Sequence, residues 1–461
     1  MRRELEGRPL IWLALALMGG MAAHFYPVYA FVGLGCLLVD RRAGLWAIGL
    51  GFAILGVILG PRQPTLIVER GDFGGAVSVV SAPRPNRNGE GAIVVAGGQR
   101  LVMYYGADQP VSYGDTLLVK GRIQPLSPKG REYWRHQSVS GVLMVSDPVT
   151  RYAKGPPIFE WGQKIRRSFV AYTKETLQPR ARAIVQSVCF NHDAELSLED
   201  REALAKSGII HIISTSGMHV ILVAGFLSLL LSHAPVPRWL QVGLLILVLT
   251  IYGAAASFRP PMLRSIIMAG LWQSAYLTKH EADGLSSTAA SAIITLICIP
   301  TAVFDIGFLL SFAAISALVM WPPPITPSVT TALQYLTFRA KQSAFASAVA
   351  SLATIPLLSM AFRQFSIVGV VANLIVAPFI PIIVCGSILA WLAGGSFGEL
   401  VMKGLVGPLA LFCSGVATLI GNLPFAAIQT PPIPAWAVIC AYVFAAMLWR
   451  PFKRPANDVA T

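Results

Sequence analysis

From residue 209 onward the chain is a succession of apolar runs separated by a few polar residues. The runs lie at roughly 209–232, 239–256, 262–278, 286–301, 304–321, 343–361, 366–392, 401–421 and 434–449. A helix needs about 20 such residues to cross the hydrocarbon core of a bilayer, where each segment must satisfy its own backbone polar groups. Three more runs open the chain, at 10–21, 26–38 and 45–59. Charged residues are 13% of the total, against about 25% in globular proteins. These features exclude soluble, fibrous, disordered and disulfide-scaffold classes. They predict an α-helical polytopic integral membrane protein of about 12 spans, plus or minus about 2.

Lysine and arginine set the orientation, since short cytoplasmic loops carry the excess of positive charge. Arg2, Arg3, Arg41 and Arg42 place both ends of the first two spans accordingly, so the third leads outward. Gly56 and Gly60 form a GxxxG that suits close helix packing. Nine later spans then finish in the cytoplasm, where Arg450, Lys453 and Arg454 agree with the rule. Both termini are thus expected in the cytoplasm of a bacterial inner membrane.

Between 65 and 149 the pattern becomes short and alternating. Runs at 65–68, 76–80, 92–95, 100–105, 116–122 and 141–145 are punctuated by Gly, Pro, Asn and Asp. This predicts an inserted small all-β domain of OB-like size on the extracytoplasmic side. Of the 36 lysines and arginines, 18 fall in 61–186, facing 9 acids. A cationic segment suits an anionic partner such as nucleic acid or lipid headgroups. Ordinary flanking charge is the alternative, because the positives are interspersed. Residues 159–190 read as amphipathic helix broken near Pro179, with Trp161, Ile165, Phe169 and Tyr172 at spacings of three and four. Such a helix fits the membrane surface. The expected organisation is membrane helices 1–61, the OB-like domain 62–155, linker helices 156–205, a transmembrane core 206–450 and a tail 451–461.

Motifs for catalysis are scarce. No G-x-x-x-x-G-K-[ST] or H-E-x-x-H occurs, so no ATP motor, metal site or cofactor is expected. Gly394-Gly395-Ser396-Phe397-Gly398 matches G-x-S-x-G, but apolar helices flank it and no histidine follows His280. It reads as a loop between helices rather than a nucleophile elbow. The six cysteines form no C-x-x-C pair and read as small core hydrophobes.

Polar groups inside the apolar runs carry more information, because a charge at the bilayer centre usually faces protein or water. His211, Thr215 and His219 are spaced by four and would share a helix face, either as a polar lining or as histidines satisfied between helices. Arg264 lies one turn after Pro260-Pro261 and either faces an aqueous cavity or snorkels outward. Asp305 either starts a helix or pairs with Arg264. Asn373 suits a helix–helix hydrogen bond, and Pro378 and Pro381 should break their helix.

Taken together, these segments resemble the ComEC family, the inner-membrane channel for DNA uptake in natural competence. The family's H-L-L-A-I-S-G-L-H-V element is similar to His211–Val220, HIISTSGMHV, matching at His211, Ser216, Gly217, His219 and Val220. The lead-in Leu196-Ser197-Leu198 to Lys206-Ser207-Gly208 also fits. An S-x-x-R-A-x-x-M type of segment resembles 261–268 around Arg264. D-x-G-F-x-L-S-F appears at Asp305, Gly307, Phe308, Leu310, Ser311 and Phe312. F-S-x-x-G-x-x-x-N-x-x-x-x-P appears at Phe365, Ser366, Gly369, Asn373 and Pro378.

The resemblance implies a non-enzymatic path for single-stranded DNA during natural transformation. Its lining would be His211, Ser216, Gly217, His219, Arg264, Asp305, Ser311 and Asn373. Arg100, Lys120, Arg122, Lys129, Arg131, Tyr133 and Trp134 of the OB-like domain would hold phosphates or stack on bases. Implied partners are membrane lipids, a DNA receptor outside and a cytosolic ATP-driven helicase-like translocase. Many family members carry a metallo-β-lactamase-like domain; its H-x-H-x-D-H is lacking here, so either a separate polypeptide supplies the nuclease or none is needed. The segment 127–134 is only loosely family-like. The rival readings are an intramembrane enzyme built on His211, Ser216 and His219, and a small-solute transporter, which should show an internal repeat.

Overall fold

The computed structural model describes residues 9–22, 52–58, 70–86, 89–106, 109, 111–127, 131, 134, 137–213, 217–233, 235–278, 283–323, 331–431 and 433–448. Helix α1 (Pro9–Ala22) and α2 (52–58) come from the first and third N-terminal runs; 26–38 lies outside the described residues. Small residues bring α1 and α2 together: a Cβ on Gly56 would lie 3.1 Å from Gly20 Cα. Half of the expected GxxxG is thus used at a backbone-to-backbone contact, and Gly60 is not described.

Seven strands follow: β1 (Gly71–Val79), β2 (Arg84–Asn86), β3 (Gly89–Ala96), β4 (Gln99–Tyr105), β5 (Thr116–Pro125), β6 (Gly141–Val145) and β7 (Thr150–Ala153). β1 pairs antiparallel with both β3 and β5; β3 pairs with β4, β4 runs parallel to β6, and β6 returns to β5. The five long strands therefore close a small barrel, the Greek-key arrangement of OB-type folds. Strict alternation of burial along β3 sends Ala92, Val94 and Ala96 inward, where they meet Val77, Val79, Leu101, Met103, Leu117, Val119 and Leu143. Period-two alternation makes the face assignment unambiguous, because a one-residue slip would expose the whole set. The early run 65–68 lies outside the described residues.

The helical part runs α3 (Pro157–Thr176), α4 (Pro179–Phe190), α5 (Leu198–Lys206), α6 (Ile210–Ile213), α7 (Gly217–Ser232), α8 (Arg238–Ala255), α9 (Pro260–Thr278), α10 (Gly284–Cys298), α11 (Ile306–Met320) and α12 (Ala332–Phe362). After a short strand β8 (Gln364–Ser366) come α13 (Gly369–Val376), α14 (Ile380–Ala393), α15 (Gly395–Val401) and α16 (Gly407–Gly421). Strand β9 (Ala427–Gln429) pairs with β8, and α17 (Ala435–Leu448) ends the described chain. Each of the nine apolar runs contributes helix among the described residues. Among the described residues, four helical stretches are long and apolar enough to cross a membrane: Arg238–Ala255, Leu333–Phe362, Gly369–Ala393 and Gly395–Gly421. Four more apolar helices, including α7, α10 and α11, are shorter than that measure. The expected count of about 12 is not reached by length alone, since polar residues and turns cut several runs short.

Local chemistry explains the breaks. A 3₁₀ turn at Ala377–Phe379 separates α13 from α14 where Pro378 and Pro381 deny the helix its donors. Gly394 and Gly395, at φ 58° and 54°, make the reversal between α14 and α15. The G-x-S-x-G match is not the loop expected: only Gly394 lies between the helices, and Gly395–Gly398 form the first turn of α15.

The amphipathic α3 buries Gly162, Gln163, Arg166, Phe169, Thr173 and Thr176. Of the aromatic face formed by Trp161, Ile165, Phe169 and Tyr172, Phe169 is buried while Trp161 is 52% exposed. The cause is close approach: a Cβ on Gly162 would lie 2.6 Å from Ala254 Cβ, so α3 turns its small residues toward α8.

Candidate functional site

Helix α9 begins at Pro260-Pro261, whose locked φ and missing N–H suit a first helical turn. That start places Arg264 one turn inside, 8% exposed. Its Nε donates to Ser311 Oγ at 2.9 Å, and Nη2 donates to Ser265 Oγ at 3.1 Å. Nη1 points at Met268 Sδ at 3.1 Å, and the guanidinium carbon lies 5.7 Å from the centre of the Phe312 ring. Hydroxyls, a thioether and an aromatic face thus surround this cation. Such partners orient a guanidinium without cancelling its charge.

Gly217, the first residue of α7, touches the same group. A Cβ there would lie 2.7 Å from Arg264 Nη2 and against Ser265 Oγ. His219, one turn fraction further on, is fully buried. Helix α11 is started by Asp305, whose Oδ1 accepts the Phe308 N–H at 2.9 Å. The cap, not pairing with Arg264, is therefore the role of this carboxylate: an N-terminal turn offers it free N–H donors and a favourable dipole. A Cβ on Gly307 would lie 3.3 Å from Pro261 Cγ, so the first turns of α9 and α11 abut. The fourth segment closes from another side. Gly208, at φ 74°, leaves room for Ser366 and Gly369: a Cβ there would lie 3.0 Å from Gly369 Cα. Four segments spread over 208–373 thus pack through their glycines, and two of them supply hydroxyls to Arg264.

The expected residues divide as follows. Gly217, Arg264 and Ser311 are brought into contact. Asn373 sits on α13, 5% exposed, with Oδ1 lacking a hydrogen-bond partner among the described residues. His211 lies on α6 (Ile210–Ile213) and is exposed, while His219 lies on α7 and is buried. Thr215 and Ser216 lie outside the described residues. On the barrel, Lys120 and Arg122 are exposed on β5, Arg122 pairing with Asp72 at 3.3 Å, and Arg131 is exposed. Arg100 is half-buried, and burial lowers its pKa. Trp134 does not stand free as a stacking platform; it packs on Val102, Leu126 and Val139, because the outer face of β3 and β4 offers Ile93 and Tyr104 as apolar cover. Lys129 and Tyr133 lie outside the described residues. Among the described residues, no group of three His, Cys, Asp or Glu side chains is arranged to hold a metal ion.

Linear spacing gave no signal for His192, which follows α4 with a buried Nδ1 that lacks a partner among the described residues. Burial, reinforced by the charge of Arg166, lowers its pKa from 6.5 to about 4; Asp193 opposes the shift and Lys174 adds to it. An unfolded histidine gains its proton below about 6.5 while the folded one refuses it, so acid favours unfolding. Stability should be flat above pH 7 and fall by about 2 kcal/mol at pH 5 through this group. Thermal melting in detergent at both values, with His192→Gln as comparison, checks this: the substitution should flatten the acid side of the profile.

The family model described as "Competence protein" matches residues 188–455. ComE operon protein 3 of Bacillus subtilis (strain 168) is 28% identical over 285 residues, covering 61% of this chain and 35% of that protein. The uncharacterized protein YcaI of Escherichia coli (strain K12) is 21% identical over 274 residues, covering 56% of this chain and 35% of that protein. The matched part thus spans about a third of the length of these relatives. No solved structure matches the chain. The family match covers more than half of the residues, including every helix that meets at Arg264, and the chain belongs to the competence protein family of ComEC type.

Proposed function

We propose that this protein carries single-stranded DNA across the bacterial inner membrane during natural transformation. The observation that carries this reading is Arg264: a cation buried among helices, oriented by Ser311 and Ser265, with no carboxylate paired to it among the described residues. A desolvated guanidinium with free charge is the group best suited to meet a passing phosphate, since its planar fork matches two phosphate oxygens. The barrel, placed outside, would receive the strand at Lys120 and Arg122. His219 and Gly217 would shape the path beside Arg264, and Asn373 would supply a further polar contact.

No bond is broken in this scheme, and no driving force is supplied by it. Moving one charge through 100 mV is worth about 2.3 kcal/mol, and an inside-negative potential opposes every phosphate that enters. Fixed cations lower the barrier without doing net work, so a cytosolic ATP-driven translocase is proposed as partner. An outer DNA receptor and a separate nuclease complete the proposed set. An intramembrane enzyme would need a nucleophile and base within hydrogen-bond reach, and His211 is exposed while His219 is buried.

Two measurements test the reading. In a transformable host lacking its own family member, the full chain should restore transformation. In nanodiscs, its affinity for single-stranded oligonucleotides should fall linearly on a log–log plot against salt, with a slope of about −0.7 per phosphate contacted. Salt-independent or absent binding, together with no rescue, would refute the DNA path.

A further inference from the structure

A second buried polar cluster joins the barrel to the helical bundle. Arg166 of α3 is 1% exposed, Glu90 of β3 is 5% exposed, and Ser257 in the loop between α8 and α9 is 4% exposed. Arg166 Nη2 donates to Glu90 Oε1. Its Nη1 donates to Pro83 O at 3.3 Å and to Ser257 Oγ at 3.2 Å. Ser257 Oγ donates to the same Pro83 carbonyl at 2.7 Å. On its other side Glu90 Oε2 accepts from Tyr105 Oη at 3.2 Å and lies 3.8 Å from Arg167 Nη2. Aromatic rings seal the edge: Phe159 sits 4.6 Å from Tyr113 and 5.5 Å from Phe258, centre to centre.

Domains that swing meet through modest, polar and partly wet interfaces. At this junction the polar groups are buried and bonded to one another. A buried guanidinium that serves a carboxylate, a carbonyl and a hydroxyl at once tolerates one geometry, because its donors form a rigid planar fork. A buried ion pair is a weak source of net stability, and its attested use is to specify one arrangement among several. The loop it grips is unusual. Ser257 and Phe258 have φ of 65° and 40°, a left-handed backbone that non-glycine residues keep only where their surroundings impose it. Gly253 makes room for the Phe258 ring, and Pro260 begins α9 directly afterwards. The barrel is therefore tied to the turn that launches the helix bearing Arg264.

We propose that Arg166, Glu90 and Ser257 are positioning residues that seat the barrel immovably on the α8–α9 loop, so that barrel and Arg264 helix act as one body and DNA passes without a swing of the barrel. The proposal rests on the DNA-path reading above. It gives the junction a role that stability alone does not require: a strand leaving the barrel meets Arg264 at a constant offset.

The test uses the full chain in a transformable host lacking its own family member. Arg166→Met with Glu90→Gln removes the pair without leaving a buried charge. Membrane abundance and oligonucleotide binding should stay within about twofold. Transformation should fall about 100-fold, the order expected when a positioned group shifts by about an ångström. Pro83→Cys with Ser257→Cys should then restore transformation when the two introduced thiols are oxidised, and lose it again on reduction. In the otherwise native chain the reduced cysteine pair should lower transformation, because the Ser257 hydroxyl is gone, and oxidation should bring it back. A cross-link that abolishes transformation there would overturn the proposal, as would normal transformation by the Arg166 and Glu90 double variant. If the native chain itself rescues no transformation, the DNA-path reading fails separately. The cross-linking yield then decides the seating: near completion for a fixed barrel, partial and slow for a mobile one.

Discussion

Gly217→Val should abolish most DNA import while leaving the protein in the membrane. A Cβ at this position would lie 2.7 Å from Arg264 Nη2 and against Ser265 Oγ, and valine adds two methyl groups beyond it. The guanidinium has nowhere to yield, since Ser311 holds its Nε and the Phe312 ring flanks it. Either α7 moves away from α9 or Arg264 leaves its two hydroxyls. Overpacking of this kind costs about 1–3 kcal/mol, which a folded chain survives. Losing the orientation of a charged hydrogen-bonding group costs about 1.5–3 kcal/mol, so transformation should fall about 10- to 100-fold at matched abundance. Gly225→Val is the control on the same helix: nothing lies within 4 Å of a Cβ there, and transformation should be unchanged. Equal transformation by the two variants would remove Gly217 from the proposed path.

The second large effect separates function from stability in one side chain. Arg264→Met keeps the length of the stem and deletes the charge. Among the described residues its contacts include no carboxylate, so no acid there is left unpaired by the change. Replacing a desolvated ionic group with a packed apolar one is often neutral or stabilising. Melting temperature should therefore hold or rise, while import falls about 100-fold through loss of a phosphate-binding charge. Arg264→Lys should lie between. An ammonium keeps the charge, but one point donor cannot serve Ser311 and Ser265 in the geometry of the fork. Import by the methionine variant at the native level would mean that the charge is structural and that the path lies elsewhere.

Much of this molecule is visible in the linear sequence because the relevant physics is local or periodic. Apolar runs define the helices after 209, and alternation with turn residues defines the barrel strands to within a few residues. Pro260, Pro378 and Gly394 mark helix starts and breaks through backbone rules that need no neighbours. Gly217, Arg264 and Ser311 stand out because a charge or a glycine–hydroxyl pair inside an apolar run is expensive without a purpose.

Other features depend on partners distant in the chain. The spacing of His211 and His219 implies one face, yet His211 is exposed and His219 is buried. Trp134 reads as free and is instead covered by packing on β3 and β4. Arg166 is indistinguishable in sequence from its neighbours Lys164 and Arg167, yet it alone is buried, because Glu90 lies 76 residues away and meets it only in the fold.

By itself, then, the sequence determined the membrane-embedded helical class, the inserted β domain and the candidate polar residues, since hydropathy, periodicity and backbone propensity act over a few residues. Only the tertiary structure decided that Asp305 caps a helix, that Ser311 and Gly217 meet at Arg264, and that Arg166 joins the barrel to the core. Those outcomes turn on which surfaces are desolvated against each other, and desolvation is a property of the packed molecule.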